Sequence, residues 1–156
     1  MALTISLLAL LATFYQLHVQ RVHNEKSLMP LAQVDLVDRD KLAVRIQNNG
    51  VGPLIVQSIH YLKDGVNHPH LADCLTLSAR SFQHVTLSPP EQKIILAGAY
   101  LEVFSKRIKE NDTEEQINDL RNQLAPITVQ VKGKDIYNNA VVVERSLGWF
   151  LRHDVV

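Results

Sequence analysis

Charge is missing from the start of this 156-residue sequence. Residues 2–20 contain no Asp, Glu, Lys or Arg, and all charged residues lie at or beyond Arg21. That absence excludes a helix lying in a membrane surface, which needs a charged face. Cysteine is nearly absent as well: Cys74 stands alone and cannot form an internal disulfide framework. Neither sign of charge is in surplus, with sixteen basic and sixteen acidic residues. The broad cationic face of a general nucleic-acid binder is therefore lacking, and DNA is not expected as a partner. No G-x-S-x-G, H-E-x-x-H or P-loop pattern occurs, so the chain reads as a non-enzyme with no cofactor. Its length leaves room for one domain and a short appendage.

What is present at the start is an apolar run, Ala2 to Val19, about long enough as a helix to cross a hydrocarbon core of roughly 30 Å. Phe14 and Tyr15 fall toward one end, where aromatic rings favour the interface. A cleaved signal peptide would want a basic start and a small-residue cleavage site, and neither is there. A soluble core helix apolar all round would need more covering partner than a domain this small provides. The expectation is a transmembrane helix over residues 1–20, a juxtamembrane linker over 21–30, and a soluble domain over 31–156. Arg21 and Lys26 follow the span, so the positive-inside rule places the domain in the cytoplasm and the chain in the inner membrane as a single-pass protein.

Beyond the linker the pattern turns to period two. Leu31 to Val37 is β-forming, and in Lys41 to Gln47 the residues Leu42, Val44 and Ile46 share one face. Asn48-Asn49-Gly50-Val51-Gly52-Pro53 is turn chemistry, Leu54 to Leu62 is the next strand, and Lys63-Asp64-Gly65 reads as a hairpin turn. Phe82 to Leu87 and Lys93 to Ala97 read as strands. Leu71 to Leu77 reads as a short helix or an irregular crossover, and Tyr100 to Lys109 as a helix with strand open at its start. Thr113 and Gln116 form a capping box for a helix over Thr113 to Leu124 that Pro126 ends. Ile127 to Val131 and Ala140 to Leu147 alternate again. The expected fold is mainly β: an immunoglobulin-like β-sandwich, or a small barrel, with one late inserted helix.

Few residues suggest chemistry. His68-Pro69-His70 with Cys74 has metal-ligand types but lacks a fourth ligand at zinc spacing, so it reads as a polar loop with a buried thiol and no metal. Nothing local activates that thiol as a nucleophile. Lys106, Arg107 and Lys109 invite phosphate, yet at the end of a helix they would simply complement its dipole. His60, Arg80, His84 and Lys93 flank strands and are the candidate contacts for an anionic ligand, provided that the fold brings them to one face.

The segment Arg45-Ile46-Gln47-Asn48-Asn49-Gly50-Val51-Gly52-Pro53 resembles a group of uncharacterised bacterial membrane proteins. They carry one N-terminal span, a basic juxtamembrane stretch, an NNGxGP turn and one β domain. The matching pieces here are Gln20 to Pro30, Asn48 to Pro53, Asp64-Gly65 and Asp135-Ile136-Tyr137-Asn138. These are turns, so the resemblance implies architecture. The plan is also similar to that of small membrane effectors of bacterial antiviral defence, in which a cytosolic domain senses a cyclic nucleotide. That similarity implies a homo-oligomer acting on the lipid bilayer when its soluble domain binds a small anionic signal such as a cyclic oligonucleotide. The rival expectation is a passive membrane-tethered adaptor with no ligand.

Overall fold

The computed structural model describes residues 2–78, 81–87 and 89–153, and of residue 153 only the backbone. Helix α1 covers Ala2–Ser27, a length of about 39 Å at 1.5 Å per residue. None of its residues is buried, and it is long and apolar enough to cross a membrane. The hydroxyls of Ser6 and Thr13 donate to the carbonyls of Ala2 and Ala9 one turn back, which satisfies them without water. The helix continues through most of the stretch expected to be a linker. Nothing between Arg21 and Ser27 breaks it, and the Arg21 side chain bonds Glu25 one turn on at 3.1 Å. It ends shortly before Pro30, which cannot continue a helix.

Among the described residues nine strands follow: β1 (Ala32–Asp38), β2 (Lys41–Asn48), β3 (Leu54–Lys63), β4 (Val66–His68), β5 (Gln83–His84), β6 (Lys93–Ile95), β7 (Tyr100–Arg107), β8 (Ile127–Lys134) and β9 (Ala140–Ser146). Helix α2 (Glu114–Leu124) lies between β7 and β8, and 3-10 turns cover Leu71–Cys74 and Gly148–His153. The first sheet has the order β1-β2-β7-β5; the second has β4-β3-β8-β9, with β6 beside the start of β3. All pairings are antiparallel. Taking β1, β2, β5 and β7 as A, B, D and E, and β3, β8 and β9 as C, F and G, the order is ABED against CFG. That is the immunoglobulin-like arrangement.

The sheets meet over a core that includes Leu42, Val44, Ile46, Ile59, Tyr61, Phe104, Val129 and Val131. Between β1 and β9 the link is a side chain, Arg145, which donates to the Val34 carbonyl and approaches Asp35 at 4.0 Å. No backbone ladder joins those two strands among the described residues, so the two sheets form a sandwich and not a closed barrel. Tyr61 lies near the end of β3 at 1 % exposure, and its hydroxyl has no hydrogen-bond partner among the described residues. Burial, and to a lesser degree the Cys74 thiol beside it, push the phenol well above its usual range.

Two expectations need correction. Tyr100 to Arg107 is a strand paired on both sides, by β2 and β5, so Lys106, Arg107 and Lys109 do not end a helix. The expected strands at Phe82 to Leu87 and Lys93 to Ala97 shrink to two and three residues. Leu71 to Leu77, expected as a short helix or an irregular crossover, holds a single 3-10 turn, Leu71–Cys74, followed by irregular chain.

Candidate functional site

Of the four residues proposed from sequence as anion contacts, the three that the structure describes are spread over both sheets. His60 stands on the outer face of the second sheet in register with Gln130. Gln130 in turn bonds Glu144 at 3.1 Å. His84 is on the edge strand β5 of the first sheet, its ring 5.3 Å from that of Phe82. Lys93 is exposed on β6 opposite Val56. Arg80 lies outside the described residues. The groove beside His60 is small, about 150 Å³, and Glu144 in its wall opposes an anion.

A better cleft forms where β2 begins and β7 ends, from residues that the sequence separates widely. The antiparallel register sets Lys41 directly opposite Arg107. Lys106 precedes Arg107 on β7, Lys109 follows it, and Ser81, Gln83 and Ser105 complete the polar wall of an opening of about 550 Å³. That volume is within the range of small-ligand sites. The lining holds four basic side chains against two carboxylates, Glu102 and Asp112.

The carboxylates are already engaged. Glu102 receives Lys41 Nζ at 2.7 Å and Arg45 Nε at 3.0 Å. Burial pushes the Glu102 carboxyl up, but hydrogen bonds from Lys41, Ser105 and Arg45 outweigh it and hold the group below its ordinary value. Asp112 accepts the Lys109 backbone N–H at 2.9 Å and lies 3.6 Å from Lys106 Nζ. That backbone bond first, then the lysines, lower its pKa. Arg107 and Lys109 are both exposed and, among the described residues, form no ion pair. The cleft therefore has two cations free for a ligand, and two more fixed in place by carboxylates. Sequence reading missed Lys41 because its partner lies 66 positions away across a strand pair, and nothing local announces that.

His68, His70 and Cys74 do not assemble. Among the described residues no group of three or more His, Cys, Asp or Glu side chains could hold a metal. His70 instead meets the Thr86 hydroxyl at 3.2 Å. Cys74 is buried. Burial raises its thiol pKa despite the opposing charge of Lys63, which favours the unreactive protonated form. The gap beneath α2, between Leu42 and Ile117, is about 10 Å³ and has no room for a ligand.

No protein-family model and no curated protein matches this sequence.

Proposed function

We propose that this protein is a membrane-anchored receptor. The apolar helix α1 spans the inner membrane once, the sandwich stands in the cytoplasm, and the Lys41–Arg107 cleft binds a small phosphate-bearing ligand. The observation that carries the reading is the cross-strand pair Lys41 and Arg107, with Lys106 and Lys109 beside it, around one opening. A ligand with two or more phosphates, such as a cyclic oligonucleotide, matches that spacing of cations better than a single carboxylate does. Arg107 supplies a planar fork suited to phosphate, and the lysines act as point charges. Acting on the membrane then requires the ligand to favour one assembly of spans over another, by roughly 1–3 kcal/mol.

Calorimetry of the full chain in detergent micelles, against cyclic dinucleotides and inorganic pyrophosphate, tests the reading. Binding should weaken as salt rises. Arg107→Ala should lower affinity about tenfold or more, since a hydrogen bond to a charged group contributes about 1.5–3 kcal/mol. Lys109→Ala should act in the same direction. Flat titrations with folded protein would remove the ligand. They would leave the second reading, a tethered adaptor, which one observation favours: the outer face of the second sheet exposes Leu62 and Val142 near the groove at His60.

A further inference from the structure

The two ends of the sandwich differ in chemistry. At the end bearing the cleft, the connections are charged: Asp38-Arg39-Asp40, Lys63-Asp64-Gly65, and Lys109-Glu110-Asn111-Asp112. At the opposite end the register gathers the start of β1, the end of β2, the starts of β3 and β7, and the β8–β9 hairpin. Ala32 faces Asn48, Gln47 faces Tyr100, and Ile55 faces Lys134. The connections here carry Met29, Leu31, Val51, Leu96, Ile136 and Tyr137, every one exposed, with Val51 at 69 % and Leu96 at 65 %. Single exposed apolar residues are ordinary, and the cleft end has Val66, Trp149 and Leu151 among its charged turns, but six on the connections of one end mark a surface that something covers.

Helix α1 enters the domain at this same end, where Asn49 N–H donates to the Leu31 carbonyl at 2.8 Å. The nearby cations are Lys26 at the end of α1, Lys93 on β6, and Lys132 and Lys134 on β8. The acidic neighbours are three: Glu25, already bonded by Arg21, Glu91 just before β6, and Asp135 in the β8–β9 hairpin, which is buried and accepts the backbone N–H groups of Tyr137 and Asn139. Apolar tips ringed by lysines match the chemistry of an anionic lipid surface, in which chains lie beneath phosphates.

We propose that this end of the sandwich docks on the bilayer from which α1 emerges, with Val51, Leu96, Ile136 and Tyr137 at headgroup depth and the lysines on lipid phosphates. The proposal rests on α1 being a membrane span. The distances are compatible. Residues 20–27 carry the chain about 12 Å beyond the apolar run, and the headgroup layer is about 6 Å deep on each side. The loop tips need to close only about half that interval, and a helix tilt of about 20° lowers one rim of the domain by a similar amount.

The test uses the full chain in vesicles of phosphatidylcholine and phosphatidylglycerol, with Trp149→Phe as background and one tryptophan placed at a time. Val51→Trp and Ile136→Trp report the proposed docking face, Val66→Trp the opposite end, and Phe14→Trp the span. Each replaces an exposed side chain, and an unchanged melting transition confirms the fold. Lipids brominated at the headgroup end of the chain should quench Val51→Trp and Ile136→Trp, with blue-shifted emission, and leave Val66→Trp bright. Deeply brominated lipids should quench Phe14→Trp. Replacing phosphatidylglycerol by phosphatidylcholine should reduce the quenching at Val51 and not at Phe14. If Phe14→Trp is quenched while Val51→Trp and Ile136→Trp stay bright, docking is wrong and the span stands. Blue-shifted but unquenched emission at those two positions means that protein covers this end, a second copy or another partner, and also overturns docking. If Phe14→Trp stays bright, the span and the docking fall together.

Discussion

Asn48 uses every hydrogen-bonding position of its side chain. Its Oδ1 accepts the Leu31 and Gly50 backbone N–H groups, each at 3.1 Å. Its Nδ2 donates to the Gly52 carbonyl at 2.8 Å and the Ile95 carbonyl at 3.1 Å. The residue is fully buried, so one amide joins the exit of α1, the turn after β2, and β6. The turn glycines serve the same junction: a Cβ on Gly52 would strike the Leu28 carbonyl, and one on Gly50 the backbone of Met29 and Leu31. Asn48→Ala strands several buried backbone groups at about 1–3 kcal/mol each, so a loss of about 3–5 kcal/mol is expected in urea unfolding of the full chain. Asn48→Asp should not rescue it, because an acceptor would then face the Gly52 and Ile95 carbonyls. In the sequence this stretch is legible as a turn and nothing more. The partners Leu31 and Ile95 lie 17 and 47 residues away, and separations of that size leave no local signature.

At the scale of elements, α2 shows what is legible and why. Its start depends on contacts three residues apart: Thr113 N–H donates to Gln116 Oε1 at 3.1 Å, and Gln116 N–H to Thr113 Oγ1 at 3.3 Å. Leu120 and Leu124, one turn apart, bury its apolar face. Both features can be read from residue spacing. What holds the helix to the sandwich cannot. Arg121 donates from Nε and Nη2 to the two oxygens of Asp38, at 3.0 and 2.8 Å, and the Asp38 side chain is only 1 % exposed. Arg121→Ala leaves a buried carboxylate without its fork, and a loss of about 3–5 kcal/mol in thermal or urea unfolding is expected. Arg121→Lys should recover part of it, since a lysine offers a point charge where two parallel bonds were made. Strand β7 was the harder case for the same reason of range. A bulge between Val44 and Arg45 shifts the register, so Phe104 faces Val44 while Glu102 faces Arg45. Val103 and Phe104 are therefore both buried, and the period-two pattern breaks into one with helical spacing. The cleft inherits that ambiguity, because Arg107 reaches Lys41 only once the strand pairing is known.

For the whole molecule, the junction between α1 and the sandwich decides how the two parts behave when separated. The apolar run ends near residue 19, yet the domain's own hydrogen bonds begin upstream of β1. Leu31 donates its N–H to Asn48 Oδ1 and accepts from Asn49 N–H, and Leu28 packs beneath Gly52. Segment 28–31 is thus part of the domain's structure, although residues 28–30 lie within the stretch that the sequence suggests as a linker. Two truncations should then differ sharply. A chain beginning at Arg21 retains Leu28 to Leu31 and should fold as a soluble domain, released from the membrane fraction that holds the full chain after alkaline washing. A chain beginning at Gln33 loses both Leu31 bonds, uncovers Gly50 and Gly52, and leaves Asn48 Oδ1 half satisfied in a buried site. With about 0.5–1.5 kcal/mol net for each ordinary hydrogen bond and more for a stranded buried group, it should be less stable by about 2–4 kcal/mol. Urea midpoints of the two fragments make the comparison, with equal slopes checking that the same surface unfolds. Equal midpoints would mean that 28–31 only lies against the sandwich, and that α1 is attached to it by a plain tether.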